Sequence, residues 1–221
     1  MANQTITFNA KDGKGGLFTS IHPEQDSLSF EGQTAYYELE TNTLKIGGVD
    51  VIQSADALIQ PADGNIAINP GGAMQTINNV TITVSSENKY HVIKRATVDI
   101  RGKNEFEGKG FYQYNLKDKQ QEIAFNNILG KPFGKRKSQK IFTQAKGSVI
   151  EDDQFFIDTK TQFRGDITLM SHSKNLGFDG FAKLDVPTVP NMHWFHVQCE
   201  GDKNDLAITY DTPKNLSLIH I

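Results

Sequence analysis

Residues Asn78–Leu116 read NNVTITVSSENKYHVIKRATVDIRGKNEFEGKGFYQYNL, and this stretch decides the fold. It holds three alternating runs, Val80–Val84, Ala96–Ile100 and Phe111–Leu116, separated by polar, glycine-containing connections. Alternation with a period of two sends apolar side chains to one face of a strand and polar ones to the other. In the second run Ala96, Val98 and Ile100 share one face, and Thr97 and Asp99 the opposite one. The expectation is antiparallel β-structure.

The same rhythm extends outward in both directions. Upstream, Thr5–Phe8, Ala35–Leu39, Thr43–Ile46, Val49–Ile52, Ala55–Ile59 and Asn65–Ile68 read as strands. Turns fall at Glu40–Asn42, at Pro61–Gly64 and at Asn69–Gly72, where Pro presets φ and Gly supplies positive φ. Downstream, Lys119–Gly130 alternates poorly and admits a short helix; a strand at Glu122–Phe125 followed by a loop is the favoured reading. Lys131–Lys140 (KPFGKRKSQK) carries five basic residues and two breakers, which suits a mobile hairpin tip or a boundary between halves. Beyond it Ala145–Ile150, Gln154–Ile157, Phe163–Leu169, Phe178–Val186, Phe195–Cys199 and a final segment near Leu206–Tyr210 read as strands. Val186–Pro190 (VPTVP) is extended but unsuited to a central ladder. The division expected is a β-repeat half at 1–130, the basic loop 131–140 and a second half at 141–215. The tail 216–221 (LSLIHI) resembles translated adapter read-through, with a genuine terminal strand as the other reading.

A chain of 221 residues can bury a true core as one large β domain or two small ones. Only 37% of its residues are hydrophobic and mean hydropathy is −0.46, yet 10% are aromatic, which excludes simple disorder. An elongated β-structure suits that mixture. The net charge of −3 offers no global attraction to nucleic acid or acidic lipid. A single cysteine, Cys199, excludes an internal disulfide framework. No run reaches the roughly 18 apolar residues of a bilayer span. The opening MANQTITFNA has no secretory n- and h-region, which points to the cytosol if Met1 is the true start.

Candidate chemistry is sparse. His193, His196 and Cys199 are the nearest approach to a metal cluster, but their odd separations put neighbours on opposite strand faces. Glycines 13, 15 and 16 around Lys14 lack the remainder of a phosphate loop and read as a β-turn. Arg164-Gly165-Asp166 matches an integrin tripeptide but sits in an alternating strand. Glu200, Asp202 and Asp205 lack EF-hand spacing, and Glu151-Asp152-Asp153 reads as a turn rather than a glycosidase pair. The basic run contains Phe133 as its one aromatic, too little for stacking on single-stranded nucleic acid, so no nucleic-acid partner is expected. Neither a catalytic residue, a metal site nor a cofactor is expected.

Strand centres at Leu58, Thr81, Val98 and Tyr112 are spaced by roughly 23, 17 and 14 residues, and those at Ser148, Ile167, Lys183 and Val197 by roughly 19, 16 and 14. The strand entries SADALI, RATVDI, FRGDITL and FDGFAKL carry this irregular echo. They resemble the degenerate repeats of OstA-like, lipopolysaccharide-transport proteins. His91–Ile100 and Gly108–Tyr114 also resemble segments of large uncharacterised envelope proteins of Gram-negative bacteria. The resemblance implies an all-β, elongated antiparallel sheet stack: a β-taco or β-jellyroll, or a loose β-solenoid. It further implies a location in the cell envelope or outside the cell, and contact with acyl chains of lipid or lipopolysaccharide. The expected function is a non-enzymatic envelope β-repeat protein whose apolar inner face includes Tyr37, Ile59, Val80, Ile82, Val98, Ile100, Ile167 and Leu184. The alternative is a structural or adhesive module of a large surface protein, self-associating or pairing with neighbouring β modules through strand edges. A carbohydrate-active β-solenoid enzyme is the third reading.

Overall fold

The computed structural model describes residues 5–9, 15–133, 140–185, 192–201 and 207–209, the first and last of these segments by backbone alone. The fold is all-β. In chain order the strands are β1 (Thr5–Asn9), β2 (Gly16–Thr19), β3 (Ser29–Gly32), β4 (Thr34–Glu38), β5 (Thr43–Gly47), β6 (Ile52–Ser54), β7 (Ala57–Pro61) and β8 (Ile66–Ile68). They continue with β9 (Ile77–Val84), β10 (His91–Gly102), β11 (Glu105–Asn115), β12 (Gln120–Phe133), β13 (Lys140–Val149), β14 (Thr161–Met170), β15 (Gly177–Leu184), β16 (Phe195–Cys199) and β17 (Ala207–Thr209). Thirteen of them form one antiparallel sheet in the order β17-β16-β15-β14-β13-β12-β11-β10-β9-β7-β6-β3-β2. A second sheet has the order β1-β4-β5-β8. Among the described residues the ends of the large sheet, β17 and β2, do not pair with each other, and no barrel closes.

The central stretch behaves as its alternation requires, and the structure adds the devices that keep it in step. Ala96, Val98 and Ile100 are buried on one face of β10. His91 and Ile93 join that face only because an extra residue is inserted at Lys94–Arg95, where Arg95 takes φ 49°. In β9, Asn79 (φ 53°) makes a second bulge between Ile77 and Val80. In β12, Asn126 makes a third, between Phe125 and Asn127. Each extra residue is polar and faces solvent, and each restores the apolar side chains beyond it to the inner face.

The bulge at Asn126 explains why Lys119–Gly130 alternates poorly. Ile123 and Phe125 point inward, and after the extra residue so do Ile128 and Gly130. The loop expected after Phe125 is therefore strand as far as Phe133. Pro132 is tolerated there because β11 ends opposite Gly130, leaving Pro132 paired with β13 alone. Gln154–Ile157 is a second correction. After a 3-10 turn at Glu151–Asp153 it contributes a single bridge, Phe156 to Gln162, while Phe155 and Phe156 fill the interior. Val186–Pro190 and 134–139 of the basic run lie outside the described residues. On either side of the run, Phe133 pairs with Lys140, and residues before and after it belong to one sheet and one buried cluster.

The bulges of β10 and β12 lie on either side of Gly108–Gly110 in β11. A Cβ at Gly110 would stand 2.7 Å from both Ala96 Cβ and Ile93 Cγ2, so the strands can come this close only without one. Bulged strands bend, and here the sheet folds back on itself. The β6–β7 turn reaches β13, where Thr143 Oγ1 donates to Asp56 Oδ1 at 2.5 Å. His91, at the start of β10, reaches the β14–β15 turn. Neither pair consists of neighbours in the sheet. The small sheet packs against the other end. Ile46 and Ile66 share the buried cluster with Phe30 and Ile52, and a Cβ on Gly32 would meet Ile46 Cγ2 at 2.5 Å.

Candidate functional site

Six of the eight residues placed on the inner face lie in the core: Ile59, Val80, Ile82, Val98, Ile100 and Ile167, none more than 3% exposed. All six belong to one buried hydrophobic cluster. Leu184, at the end of β15, faces outward and is 39% exposed. Tyr37 is half-buried on β4, where its hydroxyl donates to Asn42 Oδ1 at 3.3 Å. Its neighbour Ala35 is the residue that strand contributes to the core.

At the junction of the two sheets the apolar interior reaches solvent. A cleft of about 530 Å³ opens there, with Leu28 and Phe30 as floor and Phe18, Leu44, Ile68 and Met74 as walls. Phe18 of β2 and Phe30 of β3 stack with ring centroids 5.8 Å apart. Alternation in the short strand β2 turns Phe18 inward and leaves Leu17 outside, 71% exposed. The rim is polar, with no Asp, Glu, Lys or Arg among the lining residues. Gln25 Nε2 donates to the Gly72 carbonyl at 2.8 Å, and the His22 amide donates to Ser20 Oγ at 3.1 Å. Ile21 stands on the lip, 99% exposed. The volume falls within the roughly 300–1,000 Å³ of small-molecule sites, which are characteristically apolar with a few fixed polar groups. The sequence carries no local sign of it, because its walls come from β2, β3, β5 and β8 and meet only when the sheets stack.

A second cluster covers the outer face of β14–β16. Arg164 and Lys183 lie over the Trp194 ring, 4.5 and 4.8 Å from its centroid, and Arg164 Nη1 pairs with Glu151 Oε2 at 2.7 Å. The Arg164-Gly165-Asp166 tripeptide is thus part of a strand paired on both sides. Trp194 anchors the approach to β16, with His193 before the strand and His196 within it. His196 Nε2 lies 3.2 Å from Asp179 Oδ1. Among the described residues, no three His, Cys, Asp or Glu side chains converge as a metal site would require. Asp202 and Asp205 lie outside those residues, as do Gly13 and Lys14.

Of the buried polar side chains, Ser85, His91, Thr143, Ser171 and Ser173 lie on or beside the seam where the sheet meets itself. His91 is 1% exposed, with Nε2 2.8 Å from the Ser173 carbonyl and Nδ1 3.1 Å from the Tyr112 hydroxyl. A carbonyl only accepts, so Nε2 carries the proton, and Nδ1 accepts from the tyrosine. Burial holds the imidazole pKa below its ordinary value, partly offset by the Ser173 carbonyl. Burial likewise raises the phenol pKa of Tyr112, and of Tyr114, whose hydroxyl donates to the Ile157 carbonyl at 2.8 Å.

Compared with known proteins, the chain matches no family model, no curated protein and no solved structure.

Proposed function

We propose that this chain is a non-enzymatic β module of the cell envelope or cell surface that binds acyl chains of lipid or lipopolysaccharide. The observation that supports this reading is the cleft between the sheets. Its floor and walls are apolar, and its polar side chains, Ser20, His22 and Gln25 among them, lie at the rim. An aliphatic chain laid on Phe18 and Phe30 would exchange water for apolar surface at about 25 cal/mol per Å². Its head would remain at the rim, beside Ser20, His22 and Gln25. The resemblance of the strand entries to lipopolysaccharide-transport repeats supports the same ligand class and the same location.

Binding of a fluorescent fatty acid and of a lipid A probe tests this directly. Phe18→Asp is the informative variant, because Phe18 is half-buried on a strand at the end of the large sheet. A charge there should weaken probe binding at least tenfold while the far-ultraviolet β signal is kept. Val98, with zero exposure, is unsuitable, since an aspartate there would unfold the protein. Well-folded wild-type protein that ignores both probes would sink the acyl-chain reading.

A second reading has its own observation. On β2, Leu17 is exposed beside a backbone that pairs only with β3 among the described residues. Such an edge suits a structural or adhesive module that adds neighbouring strands. Concentration-dependent sedimentation abolished by Leu17→Lys, in protein that binds neither probe, would favour it.

A further inference from the structure

We propose that the polar seam joining the β6–β7 turn and the start of β10 to β13 and the β14–β15 turn is a proton-sensitive gate into the apolar interior, with His91 as its pin. Two ties carry the seam. Asp56 accepts from Thr143 Oγ1 at 2.5 Å through its carboxylate, and from the Ser86 amide at 2.6 Å through its carbonyl. His91 holds the Ser173 carbonyl at 2.8 Å. Neighbouring strands of the large sheet are joined by backbone pairing, down to the single pair Phe30–Ile52 between β3 and β6. At the seam, segments 82 and 87 residues apart meet through side chains. Because these ties are side-chain bonds between elements that do not pair, they can part without breaking a ladder.

The pin is poised by its surroundings. Ionisable groups on the elements packed around it are Tyr112 of β11, Tyr90 just before its strand, and His172 and Lys174 flanking Ser173. On His91's own side of the seam stands Asp56, already engaged by Thr143. The partner strand β9 contributes apolar Val84 opposite His91. A second proton on the ring must go to Nδ1, which now accepts from Tyr112. The hydroxyl would have to reverse, and a cation would sit at a site that is 1% exposed. Turning the protonated ring out to water relieves both problems and releases Ser173.

The sign follows from burial. The folded pKa lies below the unfolded one, so between the two the unfolded or opened chain holds more protons. The closed form is then fully stable above about pH 6.5, the ordinary histidine value, and loses stability as pH falls through the window beneath it. No ligand is needed for this to occur, so the gate stands or falls separately from acyl-chain binding.

Amide exchange and an apolar dye test it on the intact protein between pH 7.5 and 5. Wild type should gain dye fluorescence on acidification and lose the nuclear Overhauser contacts between the His91 ring and Ser173, while the β11–β12 ladder stays protected. His91→Gln can still donate to Ser173 and accept from Tyr112 but cannot titrate, and it should stay closed through pH 5. Tyr112→Phe leaves Nδ1 without its donor, and it should move the opening to higher pH. A His91–Ser173 contact that persists at pH 5, or a His91→Gln or Tyr112→Phe profile that coincides with wild type, overturns the gate.

Discussion

At Gly130 a missing side chain is what the fold requires. Gly130 of β12 stands directly opposite Phe106 of β11, and a Cβ there would run into the Phe106 ring, which is fully buried. The aromatic covers the glycine across the ladder, as edge-of-pair glycines are often covered. Gly130→Ala should therefore destabilise the protein by about 1–3 kcal/mol, the range for overfilling a packed core. Phe106→Ala should cost about 3–5 kcal/mol by leaving a cavity. Urea denaturation of the two variants checks both, and a neutral Gly130→Ala would mean that the ring has room to move. The surface pairs Arg95–Glu122 and Arg101–Glu107 run across the outer face at 2.5 Å, but half-exposed pairs contribute only about 0.2–1 kcal/mol each. Period-two alternation revealed which of Ala96, Thr97, Val98, Asp99 and Ile100 turn inward. It could not reveal that Gly130 needs Phe106, or that His91 would be buried, because both depend on partners many residues away.

At the scale of the strand, bulges decide how much of the pattern can be read. Where β10 runs regularly, the sequence displays its faces plainly. Where Asn126 intervenes, Ile123, Phe125 and Ile128 stop obeying a period of two and the segment resembles neither strand nor helix. Deleting Asn126 restores regular alternation and a regular register with both β11 and β13. Deleting Ala124 instead brings Ile123 and Phe125 side by side in sequence and forces one of them outward. The first deletion should melt within a few degrees of wild type, and the second should lose about 1.5–3 kcal/mol for the apolar side chain expelled. Equal thermal shifts for the two would show that the bulge has no part in setting the register. The cleft was illegible for a related reason. Short strands such as β2 and β8 carry too few residues for a pattern, and their meeting is a property of two stacked sheets.

For the molecule as a whole, one buried cluster runs from Leu28 to Val197 across both sheets and across the basic hairpin. Unfolding should accordingly be a single cooperative transition, with fluorescence of Trp194 and far-ultraviolet circular dichroism tracing the same curve. Two resolved transitions would mean that residues before and after 131–140 are separate units. All-β architecture was legible from composition and alternation, whereas the fold-back was not, since it rests on three polar bulges and a few side-chain ties. The order of the large sheet has a further consequence. From β9 to β17 each strand lies beside the one made just before it. A chain emerging from the ribosome or threading through a translocon therefore finds a template waiting for every new hairpin. Assembly of that half can proceed by successive zippering, and the long-distance ties of Asp56 and His91 are left to click shut last.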